Sequence, residues 1–310
     1  MGSKVRKTSH TPINSQPKLQ SVDSERTSLH FFSIVGRELV TPDRVVREPE
    51  PDLVMDGPEQ VRAYAKASGG TGSMAPVHLL HSRGICDVVF PGAVVLDVAC
   101  GTGDLLRQVA GLNPQARFVG VDLSEPMLAY SREQCAEQKM ANIELRKEDC
   151  RDLSSFADSS VDIVMSTMAL HHLPTSEDLR QVFRQIERVL RPNGCVYIAD
   201  FGLLHSHQSM QRLSLQYADR EDTAFIDDYY RSLKAAFTVE EFRAAVALVK
   251  KTNLVCICSA LLPFMVVIKG GQKTALPPKT KSALSLRRRQ LPFFFWRDYL
   301  VLRLLLFFGQ

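Results

Sequence analysis

The sequence predicts a doubly wound α/β fold, and three observations carry that expectation. From about residue 92, short apolar runs of strand length alternate with longer runs of helical periodicity. A glycine turn, Gly101-Thr102-Gly103, stands between the first apolar run and the first helix. Carboxylates close the first three strand-like runs: Asp97, Asp122 and Asp149.

The first strand, "AVVLDVA" (93–99), is apolar on both faces apart from Asp97, as a central strand of a parallel sheet must be. A helix follows in "GDLLRQVAGL" (103–112), then a second strand in "RFVGVDL" (117–123). "SEPMLAYSREQCAEQ" (124–138) is a helix with Ser124 as its N-cap. "NIELRKED" (142–149) and "VDIVMST" (161–167) are the third and fourth strands, and "TSEDLRQVFRQIERVLR" (175–191) is an amphipathic helix. Asn193-Gly194 turns the chain into a fifth strand, "CVYIAD" (195–200). Residues 201–237 interrupt the alternation with a polar, mostly helical insert. Thr238 and Glu241 then form a capping box for a helix over 238–250. "NLVCICSALLPFMVVIKG" reads as two last strands broken at Leu262-Pro263.

Around this core, 91–270, lie four further regions. Residues 1–28 are polar and expected to be a disordered tail. Residues 29–90 form a helical N-terminal cap, with Pro58 opening one helix and "MAPVHLLHSRGICDVV" (74–89) supplying another. Residues 271–290 read as a basic linker. Residues 291–310 are an intensely apolar helix, interrupted by Arg297, Asp298 and Arg303, which argues against a clean membrane span. That helix is expected to pack on the body or on a second copy, with peripheral contact to a membrane as the alternative.

The whole chain has 310 residues and a formal net charge of +4, much of it near the ends. No basic face marks nucleic-acid binding. Seven cysteines without paired spacing suit reduced thiols rather than a disulfide framework or a zinc site, so no metal is expected and a cytoplasmic location is. No apolar run follows the basic N-terminus, so no signal peptide is read there.

A glycine turn at the start of a helix lets a ligand lie against backbone N–H groups. The third glycine of the dinucleotide fingerprint is absent, since Asp104, Leu105 and Leu106 follow Gly103. Asp97 would repel a phosphate but suits an ammonium group. Asp122, at the end of the second strand, can accept two hydrogen bonds from ribose hydroxyls. Asp149 can accept from an adenine amino group, and the Cys150 N–H can face the ring. Together these imply a ligand that is nucleoside-like at one end and zwitterionic at the other.

The same stretches, "VLDVACGTGDLL", "FVGVDLSEPML", "KEDCRDL", "VDIVMSTMALHHLP" and "VLRPNGCVYIADFG", carry a resemblance. They are similar in content and order to the motifs of class I S-adenosylmethionine (SAM)-dependent methyltransferases, nearest to the small-molecule group that includes the ubiquinone/menaquinone C-methyltransferases. The resemblance implies a Rossmann-like seven-stranded sheet in the order 3-2-1-4-5-7-6, with the last strand antiparallel. It also implies SAM across the strand ends. By position, Asp97, Gly101, Gly103 and Ser166 would lie near the methionine part, Asp122 near the ribose, and Asp149 and Cys150 near the adenine, with Leu123 a further cofactor-binding candidate. Tyr64, from the cap, would close over the SAM carboxylate.

Methyl transfer from a sulfonium needs alignment and exclusion of water, and a base where the acceptor is a hydroxyl or an enol-type carbon. His171 and His172, after the fourth strand, are the candidates, with His171 favoured for the pocket. Tyr229, in the insert, is a candidate for the substrate wall. The acceptor is expected to be a small molecule, with its atom open among O, C, N and S. Two other readings stand beside this one: a SAM-binding partner without methyl transfer, and an NAD-dependent oxidoreductase on a related sheet.

Overall fold

The computed structural model describes residues 26–41 and 45–308. Most of the expected tail, up to residue 25, lies outside the described residues, and from Arg26 onward the chain is helical. The cap comprises α1 (Arg26–Val40), α2 (Pro58–Ser68) and α3 (Ala75–Cys86), with segment 45–57 between the first two. The core runs β1 (Val94–Val98), α4 (Asp104–Leu112), β2 (Arg117–Asp122), α5 (Glu125–Glu137), β3 (Ile143–Lys147) and β4 (Val161–Thr167). A single 3-10 turn (Leu170–His172) leads to α6 (Ser176–Val189) and β5 (Leu190–Phe201). The insert holds α7 (His207–Ser214), a 3-10 turn (Leu215–Tyr217) and α8 (Thr223–Ala235), and α9 (Val239–Val246), β6 (Leu254–Cys258) and β7 (Met265–Gly270) finish the core.

The seven strands lie in the order β3-β2-β1-β4-β5-β7-β6. The first five are parallel, and β7 runs antiparallel to both its neighbours. Successive side chains of a strand point to opposite faces, and the packing follows that period. Leu96, Val98, Val164 and Ile198 face Phe183, Ile186 and Phe242 of α6 and α9. Val95, Phe118, Ile163 and Tyr197 face Ile85, Leu106 and Val109 of α3 and α4. Both faces being covered, the strands read as near-continuous apolar runs. The chain winds one way from β1 to β3 and the other way from β4 onward. A crevice therefore opens at the strand ends between β1 and β4.

The segment read as a linker is instead helical from Pro278 to Gln290 (α10), and α11 (Phe293–Phe307) follows it. Leu276, Leu284 and Tyr299 are buried in the α3 side of the core. The apolar content of α11 thus has a structural use: its inner face packs on the body. Tyr299→Ala is expected to cost about 3 kcal/mol in urea unfolding, as for other large core truncations. Phe307→Ala, 80% exposed, should stay within about 0.5 kcal/mol. Equal effects of the two would show that α11 is not docked in this orientation.

Candidate active site

The crevice is bordered by strained backbone. After β1, Ala99 (φ 56°), Gly101 (φ 53°) and Gly103 (φ 70°) take left-handed conformations, and after β4 so does Met168 (φ 53°). Non-glycine residues in that region cost free energy and concentrate at functional sites. Ala99 and Met168 both line the same pocket, beside Gly101, Asp122, Leu123, Asp149 and Cys150.

Asp122 closes the turn. Its carboxylate accepts the Gly101 N–H at 2.7 Å and the Ser124 N–H at 2.8 Å. Burial pushes this carboxyl up, against the pull of those N–H groups. Ser124 accepts the Met127 N–H at 3.2 Å, capping α5 as expected, and its hydroxyl reaches Asp56 at 2.7 Å. Segment 45–57 is thereby tied to the end of β2, and its Leu53 and Met55 form one apolar side of the pocket.

The two glycines differ in purpose. A side chain at Gly101 would meet only Tyr64, at 3.9 Å, so this backbone faces open space. A Cβ at Gly103 would stand 2.2 Å from Ser131 Oγ. Gly103 therefore permits the close approach of α4 to α5 and does not line the pocket.

On the far wall, Asp149 accepts the Arg151 N–H at 2.8 Å, and the Arg151 guanidinium bridges Asp149 and Asp178 at 2.7 and 2.9 Å. Burial pushes the Cys150 thiol up to about 12, which makes it a neutral packing group. Asp97 lies behind the turn, 4% exposed, and no donor among the described residues bonds its carboxylate. Burial, with the Asp122 charge nearby, holds its pKa well above the usual carboxylate range.

The histidine turn is built on Asp200, at the end of β5. One carboxylate oxygen accepts the N–H of Leu170 at 2.6 Å and those of Ala169 and His171 at 3.2 Å. The other accepts the Phe201 N–H at 2.7 Å and the His171 Nδ1–H at 2.6 Å. Burial acts to raise the Asp200 pKa, but the His171 charge and these donors outweigh it and the pKa falls. His171, 2% exposed, lies between His172 and Phe201 with its ring tilted against both.

His172 is placed differently. Its Nδ1 lies 3.2 Å from Glu50, which also accepts the Ser232 hydroxyl at 3.0 Å. Burial works against charge on both partners. Their mutual bond prevails, drawing Glu50 down to about 2 and raising His172 above its ordinary value. Arg47 holds Glu50's segment in place: its guanidinium donates to the carbonyls of Ala235, Pro174 and His171 and rests 3.9 Å over the Phe237 ring. Glu50, His171 and His172 bring donor atoms within 4.8 Å of one another, a spacing that a cation could bridge. The bonds to Asp200 and Glu50 already account for their arrangement.

Beside this pocket lies a cavity of about 850 Å³, lined by Phe201, Phe225, Tyr229 and Phe294 among others. Tyr64, Met168 and His172 line both spaces. Asp228, 8% exposed, enters the cavity with Oδ1 lacking a hydrogen bond; burial, then the Glu50 charge, pushes its pKa up. Tyr229 stacks 5.5 Å from Phe201, and burial pushes its hydroxyl up, so it is a neutral wall.

The structure thus gathers Tyr64, Gly101, Asp122, Leu123, Asp149, Cys150 and His172 around one pocket. It places Ser166 inside β4, fully buried, donating to the Val98 carbonyl at 2.8 Å; the side chain is a tie between strands, not a pocket group. It bonds the His171 ring to Asp200 while leaving that residue on the wall of the large cavity, and it puts His172 at the junction of the two spaces. Glu50, Arg47 and Asp228 were missed. Asp200 carried a signal, an acid at a strand end, whereas Glu50 in "REPEPD" carried none.

Residues 95–194 match a family model described as "Methyltransferase domain". Over 123 residues the chain is 37% identical to a demethylmenaquinone methyltransferase of Chlorobaculum parvum, a stretch covering 40% of this chain and 46% of that one. The chain therefore spans less than half the length of this curated relative. A SAM-dependent methyltransferase structure from Aquifex aeolicus superposes with a TM-score of 0.50 at 14% identity, over 69% of this chain and 97% of that one. The plantazolicin methyltransferase BpumL, in complex with SAH, superposes with a TM-score of 0.52 at 16% identity, over 87% and 94%. Residues 95–194 thus match a methyltransferase-domain model, and the chain shares the fold of solved methyltransferase structures. Over the matched stretch the chain is similar in sequence to demethylmenaquinone methyltransferases.

Asp200→Ala is expected to cost about 3 kcal/mol, because it strands buried donors and the His171 ring. His172→Ala should cost about 1 kcal/mol. Urea unfolding compares them, and a loss at Asp200 no larger than at His172 would contradict the clasp.

Proposed function

We propose that this chain methylates an apolar small molecule of the quinol type, using SAM and with His172 as the base. The observation that carries the reading is the position of His172, paired with Glu50, where the strand-end pocket meets the large apolar cavity. When bound, SAM supplies a methyl group activated by its sulfonium.

The pocket's own chemistry suits that cofactor. Asp97 is a buried carboxylate without a donor, which fits an ammonium group close by. Asp122 spends one bond on each of two N–H groups and keeps lone pairs for hydroxyl donors. Gly101 leaves its backbone bare toward the open space. Apolar side chains from 53–55 and Met127 exclude water from both sides.

On the acceptor side, the aromatic walls would orient a ring, and neutral His172 would take its proton. Glu50 then stabilises the imidazolium, as a carboxylate does for a catalytic histidine. The free thiols of the described cysteines suit a reducing compartment, in keeping with a cytoplasmic enzyme.

Asp122→Ala should weaken SAM binding by about tenfold to a hundredfold in calorimetric titration, the cost of charge-assisted hydrogen bonds. Unchanged affinity would remove Asp122 from the cofactor site. Because only the neutral imidazole accepts a proton and His172 titrates above its ordinary value, turnover should rise as pH climbs through that raised pKa. Glu50→Gln removes the charge that raises it, so the rising limb should move to lower pH. A limb that does not move would exclude His172 as the base.

A further inference from the structure

Helix α11 is apolar on both faces, and only one of them is covered. Phe295, Tyr299 and Leu305 are buried against the body. Phe293, Trp296, Leu304 and Phe307 recur at helical spacing on the opposite side, with Leu300 among them partly buried against the core. Phe293 and Phe307 are 80% exposed, and Leu304 is 57% exposed. Phe293 and Trp296 stack on each other at 6.2 Å.

The charge around this face has one sign. Residues 271–310 contain eight Lys and Arg against a single acid, Asp298. Asp298 is occupied by Tyr217 and Arg297 within the fold. Arg288, Arg289 and Arg303 are exposed and have no acidic partner among the described residues. Helices α10 and α11 both rest on α3, joined by Leu291 and Pro292.

We propose that this face docks on an anionic lipid surface, with α11 lying on the membrane and the basic residues of α10 meeting the headgroups. No helix among the described residues is long and apolar enough to cross a membrane. An exposed helix face of Phe, Trp and Leu beside unpaired arginines is the composition of an interfacial contact. A two-fold pairing of this face with a second copy would bring its arginines toward their own counterparts at a cost. Leu304 and Leu215 are both exposed and both line the large cavity, so its mouth opens beside this face. An apolar acceptor would then pass from the lipid into the cavity without crossing water. That last step rests on the cavity being the acceptor site.

The full chain is sedimented with vesicles of phosphatidylcholine alone and of phosphatidylcholine mixed with phosphatidylglycerol. It is expected to pellet with the anionic vesicles and to be released by salt. Arg288→Gln with Arg289→Gln, and separately Trp296→Ser with Phe307→Ser, should each weaken that binding by about tenfold or more. Failure to pellet with anionic vesicles, or binding that neither pair alters, would overturn the proposal. So would a concentration-dependent dimer lost in the Trp296, Phe307 variant when vesicles do not bind. Calorimetric titration of the same variants with SAM keeps the two readings apart: absence of SAM binding refutes the methyltransferase reading and leaves the vesicle result to stand by itself.

Discussion

A carboxylate buried at the end of a strand must be given donors or stay neutral, and that constraint organises this structure. Asp200 receives five N–H groups and becomes the post on which the histidine turn is wound. Asp122 receives two and keeps acceptor capacity facing the pocket. Asp97 receives none. The three acids stand on three strands of one sheet, and their internal satisfaction falls from Asp200 to Asp122 to Asp97. Of the three it is Asp122, with acceptor capacity left over, that lines the pocket.

The cap makes this edge a closed space. Segment 45–57 crosses it and is pinned at both ends, by Arg47 to the carbonyls of the histidine turn and α8, and by Asp56 to Ser124. Between those pins it delivers Glu50 to His172 and Leu53 and Met55 to the pocket. One short stretch without regular structure therefore sets the charge on His172, the pocket's apolar wall and the cap's position. Losing Arg47 would free one end of this segment, from which Glu50, Leu53 and Met55 are all delivered.

The core was legible in the sequence because its signals are local. Strand runs, Ser124, the Thr238 and Glu241 capping box and the glycine turn each report on neighbours within a few residues. The strand order came from the resemblance of five ordered motifs, and the sheet has that order. Other features depend on residues far apart in the chain. Glu50 meets His172 only after the cap folds back, and nothing in "REPEPD" marks it. His171 and His172 are equal in sequence, and only Asp200 decides which ring turns inward. Ser166 was legible as a strand-end residue, but the direction of its hydroxyl was not. The helix of α10 was hidden by its Lys, Arg and Pro, residues equally at home in a linker.

The strand-end pocket as a site for an adenosyl ligand bearing an amino acid is the claim on which the rest stands. Calorimetric titration with S-adenosylhomocysteine, set against NAD, tests it most directly. The account requires binding of S-adenosylhomocysteine in the micromolar range and none of NAD, since the Asp97 carboxylate suits an ammonium group and repels a pyrophosphate, and the third glycine of the dinucleotide fingerprint is missing. Binding of NAD without S-adenosylhomocysteine would contradict it and reassign the pocket to a dinucleotide.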